Sequence, residues 1–111
     1  MGGLFSHTEE PLSGSIAVED EPAGRVLHLR GEVDAPVVRH AQEEGHLDGL
    51  GFVAVDVGAL TYIDSTGLSL LVRWAQELAR AGRPAVVRRT TARFQQVLRI
   101  AGLTSLFACE A

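Results

Sequence analysis

Lysine is absent from this chain of 111 residues, whose ten basic side chains are all arginines. A phosphate-binding loop of the Gly-Lys-Ser type is therefore excluded. The net charge is −4, so the chain as a whole offers no field that would gather a polyanion, and nucleic acid is not an expected partner. Cysteine occurs once, at Cys109, which rules out an internal disulfide; it reads as the end of a strand rather than a redox centre. Aromatic residues make up only 5% of the chain, so its core must be aliphatic. Long hydrophobic runs are missing too, and no segment reaches the length of a membrane span. Met1 to Leu12 has no basic start, apolar centre or small-residue cleavage site, so it does not read as a signal peptide. The expectation is a cytoplasmic protein with no membrane contact.

What is present is globular: 46% hydrophobic and 22% charged residues in a length suited to one domain, which can bury roughly two-thirds of its unfolded surface. Residues 1–14 have no sustained period and read as a flexible tail, His7 included, leaving 15–111 as the domain. Ser15 to Glu19 and Arg25 to Arg30 alternate, with Ile16 and Val18 on one face of the first strand and Leu27 and Leu29 on one face of the second. Asp20 to Gly24, with Pro22, joins them as a hairpin loop. His28 faces away from Leu27 and Leu29, which predicts a surface or partly buried place. Gly31-Glu32-Val33-Asp34 ends the second strand, and Asp34 with Pro36 starts a helix. That helix is weakly patterned through Val37, Val38, Ala41 and Leu47, and Gly45 interrupts it. His40 and His46 stand six apart, not at the i, i+4 spacing that sets two metal ligands on one helical face.

The stretch from Gly51 to Gly67 organises the rest. Gly-Phe-Val-Ala-Val-Asp-Val over residues 51–57 reads as a strand buried on both faces. A polar turn follows, then a helix from Leu68 to Ala81. Asp64, Ser65 and Thr66 all suit a helix N-cap, and Gly67 is expected to leave the backbone open to an approaching group. Ser65 is expected to be exposed at the positive helix end, where a phosphate can be held. Leu68, Leu71, Val72, Ala75, Leu78 and Ala79 form the stripe expected to face the sheet, with Leu70 and Trp74 to one side and Trp74 at the core's edge. Ala85 to Arg89 is a further strand, parallel to the one before the helix. Thr90 or Thr91 caps a last helix with Phe94, Val97, Leu98 and Ala101 inward, and Gly102 ends it. Leu103, Leu106, Phe107 and Ala108 return to the core. Arg88, Arg89, Arg93 and Arg99 make a basic cluster expected to be a solvated face.

Ile63-Asp64-Ser65-Thr66-Gly67 lies one residue from the G-x-S-x-G nucleophile elbow. In that fold the histidine follows the serine, and no histidine lies beyond His46, so a serine hydrolase is very poorly supported. A G-x-G-x-x-G pattern and metal-ligand spacing are both missing: no cofactor and no metal are expected. A serine flanked by acids remains, and its residues alone leave two readings open, plain helix capping or a modified switch.

Two motifs carry a resemblance to a family: Gly31-Glu32-Val33-Asp34, and Asp56-Val57 followed by Ile63-Asp64-Ser65-Thr66-Gly67-Leu68. Thr91 to Phe94 and Ile100 to Phe107 add a lesser echo. Over roughly Ser15 to Ala108 the chain resembles a STAS domain of the anti-sigma factor antagonists. The resemblance implies an α/β fold, with a mixed four- to five-stranded sheet packed against about three helices. It also implies a non-enzymatic binding module that sequesters an anti-sigma factor serine kinase while Ser65 is unphosphorylated. Ser65 would be the phosphate acceptor, with Thr66 an adjacent hydroxyl able to share that role, and a PP2C-like phosphatase would reverse the modification. By position Glu32, Asp34, Asp64, Thr66, Gly67 and Leu68 would form the docking surface. Relatives have a longer segment between Asp34 and Asp56, and many have another helix after the last strand, which would favour a homodimer here. The alternative within the same fold is an accessory or scaffold subunit of a transporter or lipid-trafficking complex, with Ser65 only part of the helix start.

Overall fold

Period-2 alternation over residues 14–33 yields a long hairpin. The computed structural model describes residues 12–111. Strands β1 (Gly14–Glu21) and β2 (Gly24–Val33) pair antiparallel from Gly14 opposite Gly31 to Glu21 opposite Gly24, leaving only Pro22 and Ala23 as the loop. Both strands outrun the alternating stretches because pairing continues as long as the ladder finds partners. Most of the expected tail lies outside the described residues. At its end, Gly14 already belongs to β1 and Ser13 accepts the Glu32 N–H at 3.2 Å.

Three strand–helix–strand units follow. Helix α1 (Ala35–Glu43) leads to β3 (Ala54–Ile63), α2 (Ser65–Arg80) to β4 (Val86–Arg88), and α3 (Ala92–Ala101) to β5 (Ala108–Cys109). The sheet order is β1-β2-β3-β4-β5, and every pair after the first is parallel. The α/β class, the five strands and the three helices agree with the sequence expectation.

One face of the sheet carries the core. Leu27, Leu29, Val33, Val55, Val57 and Val87 alternate onto it and meet Val37, Val38 and Ala41 of α1, Leu70, Leu71, Trp74 and Ala75 of α2, and Phe94 and Leu98 of α3. Val26, His28, Ala54 and Asp56 are also buried, but they have the opposite parity and Val26 and Ala54 stand apart from that cluster. Ala54 to Val57 is buried at every position, as a strand covered on both faces requires.

Several expectations are corrected. Residues 58–63, read as a polar turn, continue β3; only Asp64 joins strand to helix. The inner face of α2 is rotated from the expected stripe: Leu70 and Trp74 are fully buried, while Ala79 is exposed. The reason is Trp74, which sits at the centre of the core rather than its edge. Its indole N–H donates to the Phe52 carbonyl at 2.8 Å, and its ring stacks on Phe52 with centroids 5.2 Å apart. A buried indole needs such a partner, and meeting it turns the helix. Leu47 is buried from a turn beyond α1, since Glu44 already caps that helix. Ala101 and Ala108 are exposed, and so is Leu106, because the 3-10 turn Thr104–Leu106 brings back Phe107 instead.

Candidate functional site

Two aspartates at the ends of neighbouring parallel strands build the site. Asp34 follows β2 in extended conformation and its Oδ1 accepts the Val37 N–H at 3.2 Å, capping α1. Asp64 does the same after β3, accepting the Gly67 N–H at 3.0 Å and capping α2. The register pairs Val33 with Ile63, and the Asp64 N–H donates to the Val33 carbonyl at 3.1 Å, so the two caps are tied side by side. Open α/β sheets place ligand sites in this position, outside the carboxyl ends of the strands.

Asp64 thus wins the capping position among the three short polar residues. Ser65, one residue inside, is exposed as the first residue of α2, as the sequence predicts. Its N–H and that of Thr66 belong to the first helical turn and have no acceptor within the helix. Thr66 is half-buried, and Glu32 is exposed opposite Tyr62. Leu68 packs half-buried against the edge of the core.

Gly67 corrects its expected role. It is buried, and a Cβ there would lie 2.6 Å from Ile63 Cγ1 and 3.2 Å from Val33 Cγ1. The glycine does not open the backbone to an approaching group; it lets the first turn of α2 settle onto the strand ends. That close approach is what brings the Ser65 corner against the sheet.

The Ser65 corner forms a ridge between two clefts. Toward α1 the cleft is polar, with Arg39 and Gln42 facing Thr66, Ser69 and Arg73. Toward the end of α3 it is apolar, lined by Leu68, Val72, Ala101 and Leu103. Ser65 borders both clefts; Arg39 lines the polar one, and Arg73 lines both. Among the described residues no trio of metal-ligating side chains gathers here.

Sequence reasoning missed a second constellation on the opposite face. Asp56, the third residue of β3, is 3% exposed. Arg89 holds it, with Nε 2.9 Å from both carboxylate oxygens and Nη2 2.8 Å from Oδ1, and the Gly58 N–H donates to Oδ1 at 2.9 Å. Arg88 binds Glu21 through two bonds of 2.9 and 3.2 Å and reaches Asp56 at 3.4 Å. Arg88 is thus largely withdrawn from the solvated face expected for it, while Arg89 stays exposed there as expected; both also neutralise a buried acid. Burial alone would push the Asp56 carboxyl up, but the Arg89 guanidinium, the Gly58 N–H and Arg88 outweigh it and hold it below its ordinary value. Glu21 is likewise lowered, chiefly by the hydrogen bonds from Arg88. A Cβ at Gly58 would lie 2.5 Å from the Arg89 guanidinium carbon, so a side chain there would push Arg89 from its present place beside Asp56. The signal was available: a charged residue in a strand buried on both faces demands partners, and parallel pairing sets Asp56 opposite Arg88.

His28 is also corrected, from surface or partly buried to buried, at 6% exposure on that same opposite face.

A family model described as Mlab, STAS domain, matches residues 16–108. The chain belongs to the STAS-domain family. Two solved structures resemble this STAS domain over most of its length. The unphosphorylated form of the anti-sigma factor antagonist SpoIIAA matches with a TM-score of 0.65 at 17% identity, covering 86% of this chain and 88% of its own. An anti-sigma factor antagonist from Mycobacterium paratuberculosis matches with a TM-score of 0.63 at 25% identity, covering 92% and 89%. No curated protein matches the chain. Among the described residues no helix of this STAS domain is long and apolar enough to cross a membrane.

Proposed function

We propose that this STAS domain is an anti-sigma factor antagonist, a cytoplasmic, non-enzymatic regulator of transcription that works by partner switching. Unphosphorylated, it sequesters an anti-sigma factor serine kinase; phosphorylated on Ser65, it releases it; a PP2C-like phosphatase resets it. The observation that carries this reading is the exposure of Ser65 on the first turn of α2, clear of the cap that Asp64 supplies. The likeness to two antagonists supports it. Glu32, Asp34, Asp64, Thr66 and Leu68 surround that corner as the docking surface, with Gly67 setting its height.

The energetics suit a surface switch. A phosphate adds about −1.5 to −2 charges, and a helix N-terminus returns about 0.3–2 kcal/mol to an anion. Arg39 and Arg73 add counter-charge in the polar cleft, so the free domain tolerates the modification. A partner with neither room nor counter-charge does not. A penalty of about 2–3 kcal/mol in the complex weakens binding roughly 30- to 150-fold. The test is the affinity of Ser65→Ala and Ser65→Glu for the cognate kinase: the alanine variant binds like the unmodified protein and the glutamate variant far more weakly. Equal affinities would sink the reading.

Membership of the STAS-domain family leaves one other reading open, an accessory or scaffold subunit of a transporter or lipid-trafficking complex. There Ser65 has no regulatory part, and the two variants behave alike toward every partner.

A further inference from the structure

The outer face of the sheet brings together three groups that the proposed switch does not use. Glu19 and Glu21 stand two residues apart on β1 and so share a face. The register sets Ala17 opposite His28 and Glu19 opposite Val26, which places His28 diagonally beside Glu19 on that face. Glu19 Oε1 lies 3.3 Å from His28 Nε2, and one oxygen of each carboxylate and an imidazole nitrogen all fall within 4.8 Å of one another. His28 is more than nine-tenths buried, and its Nε2 makes no hydrogen bond among the described residues. Folded proteins leave few buried polar atoms without a partner. The Nε2 faces the Glu19 carboxylate, and His28 lines one cleft with Glu19 and Glu21.

We propose that Glu19, Glu21 and His28 bind a divalent metal ion of the borderline class, Zn²⁺ by the character of the donors. An imidazole nitrogen with two carboxylates suits that class, whereas Mg²⁺ and Ca²⁺ favour all-oxygen sites. Bonds of about 2.0–2.2 Å in tetrahedral arrangement put ligand atoms about 3.3–3.5 Å apart. His28 and Glu19 already stand at that spacing. Glu21 needs a side-chain rotation, which its one-third exposed side chain allows.

Two guanidiniums share these carboxylates: Arg88 takes both oxygens of Glu21, and Arg30 lies 3.2 Å from Glu19 Oε2. A carboxylate offers about four lone-pair sites. Each acid can give one oxygen to the metal and keep its arginine on the other, and the arginines then orient the ligands from outside. Their charge also weakens cation binding, and three protein ligands leave the fourth position to water. The expected affinity is therefore micromolar, below that of a closed structural zinc site.

Calorimetric titration of the chelator-treated full chain with zinc chloride tests the assignment, with the thermal midpoint followed alongside. One site of micromolar affinity is expected, together with a raised midpoint. Glu19→Gln and His28→Gln should each weaken binding about tenfold or more, whereas His7→Gln, His40→Gln, His46→Gln and Cys109→Ser should not. Absence of binding at millimolar zinc would overturn the proposal, as would binding that survives Glu19→Gln and His28→Gln. Should His28→Gln fail to fold, Glu19→Gln decides alone, since its side chain is half exposed.

Discussion

Replacing Asp64 by alanine removes the acceptor of the Gly67 N–H, and the consequence can be sized. Loss of an N-cap side chain costs about 0.5–2 kcal/mol, typically near 1. A carboxylate at the helix N-terminus contributes about 0.3–1 kcal/mol through the dipole, part of it already counted in the cap. The backbone bond from the Asp64 N–H to the Val33 carbonyl survives the change. The net expectation is a loss of about 1–2 kcal/mol. For a domain near 100 residues each kcal/mol moves the melting midpoint by about 4–8 °C. Urea unfolding followed by far-ultraviolet circular dichroism measures it. Asp64→Asn and Asp64→Ser keep an acceptor in place, so most of the stability returns in both. An alanine variant as stable as the parent would refute the capping account, and so would an asparagine variant as weak as alanine. The series also separates structure from recognition: a serine variant that keeps its stability but loses the kinase assigns the Asp64 charge to the docking surface.

Two further outcomes test the core and the outer face. Trp74→Phe leaves the Phe52 carbonyl without its indole donor and is expected to cost about 1–3 kcal/mol; an unchanged urea midpoint would contradict the central place given to that side chain. Asp56 has a folded carboxyl below its ordinary 3.8, so the stability it contributes is present above that pH and lost as pH falls beneath it. Asp56→Asn should flatten the acid limb of the stability curve, though not abolish it, because Glu21 is lowered from 4.5 as well. An acid limb as steep as the parent's would show that Asp56 carries none of it.

Asp34 was readable as a cap because it is a short acid between a strand and a helical stripe, and it caps as read. The second cap was legible only as one of Asp64, Ser65 and Thr66, and Asp64 takes it. Parallel β3 and β4 followed from the helix between them. The orientation of α2 did not follow, because a hydrophobic stripe weighs Leu68 and Leu78 like Leu70, whereas the indole of Trp74 had one carbonyl to reach. Gly67 was misread since sequence cannot say whether a glycine faces solvent or the Ile63 side chain. Glu19, Glu21 and His28 escaped notice for another reason. Ligand spacing was sought along one segment, and this trio assembles only across a hairpin whose register no single strand encodes.

The central claim is that Ser65 carries the switch. Site-resolved mass spectrometry of the protein isolated from its own cells, with a phosphatase-treated control, tests it most directly. The account predicts a single phosphate mapped to Ser65 in part of the population and removed by the phosphatase. A chain carrying no phosphate under growth and stress alike, or one modified only elsewhere, would contradict it.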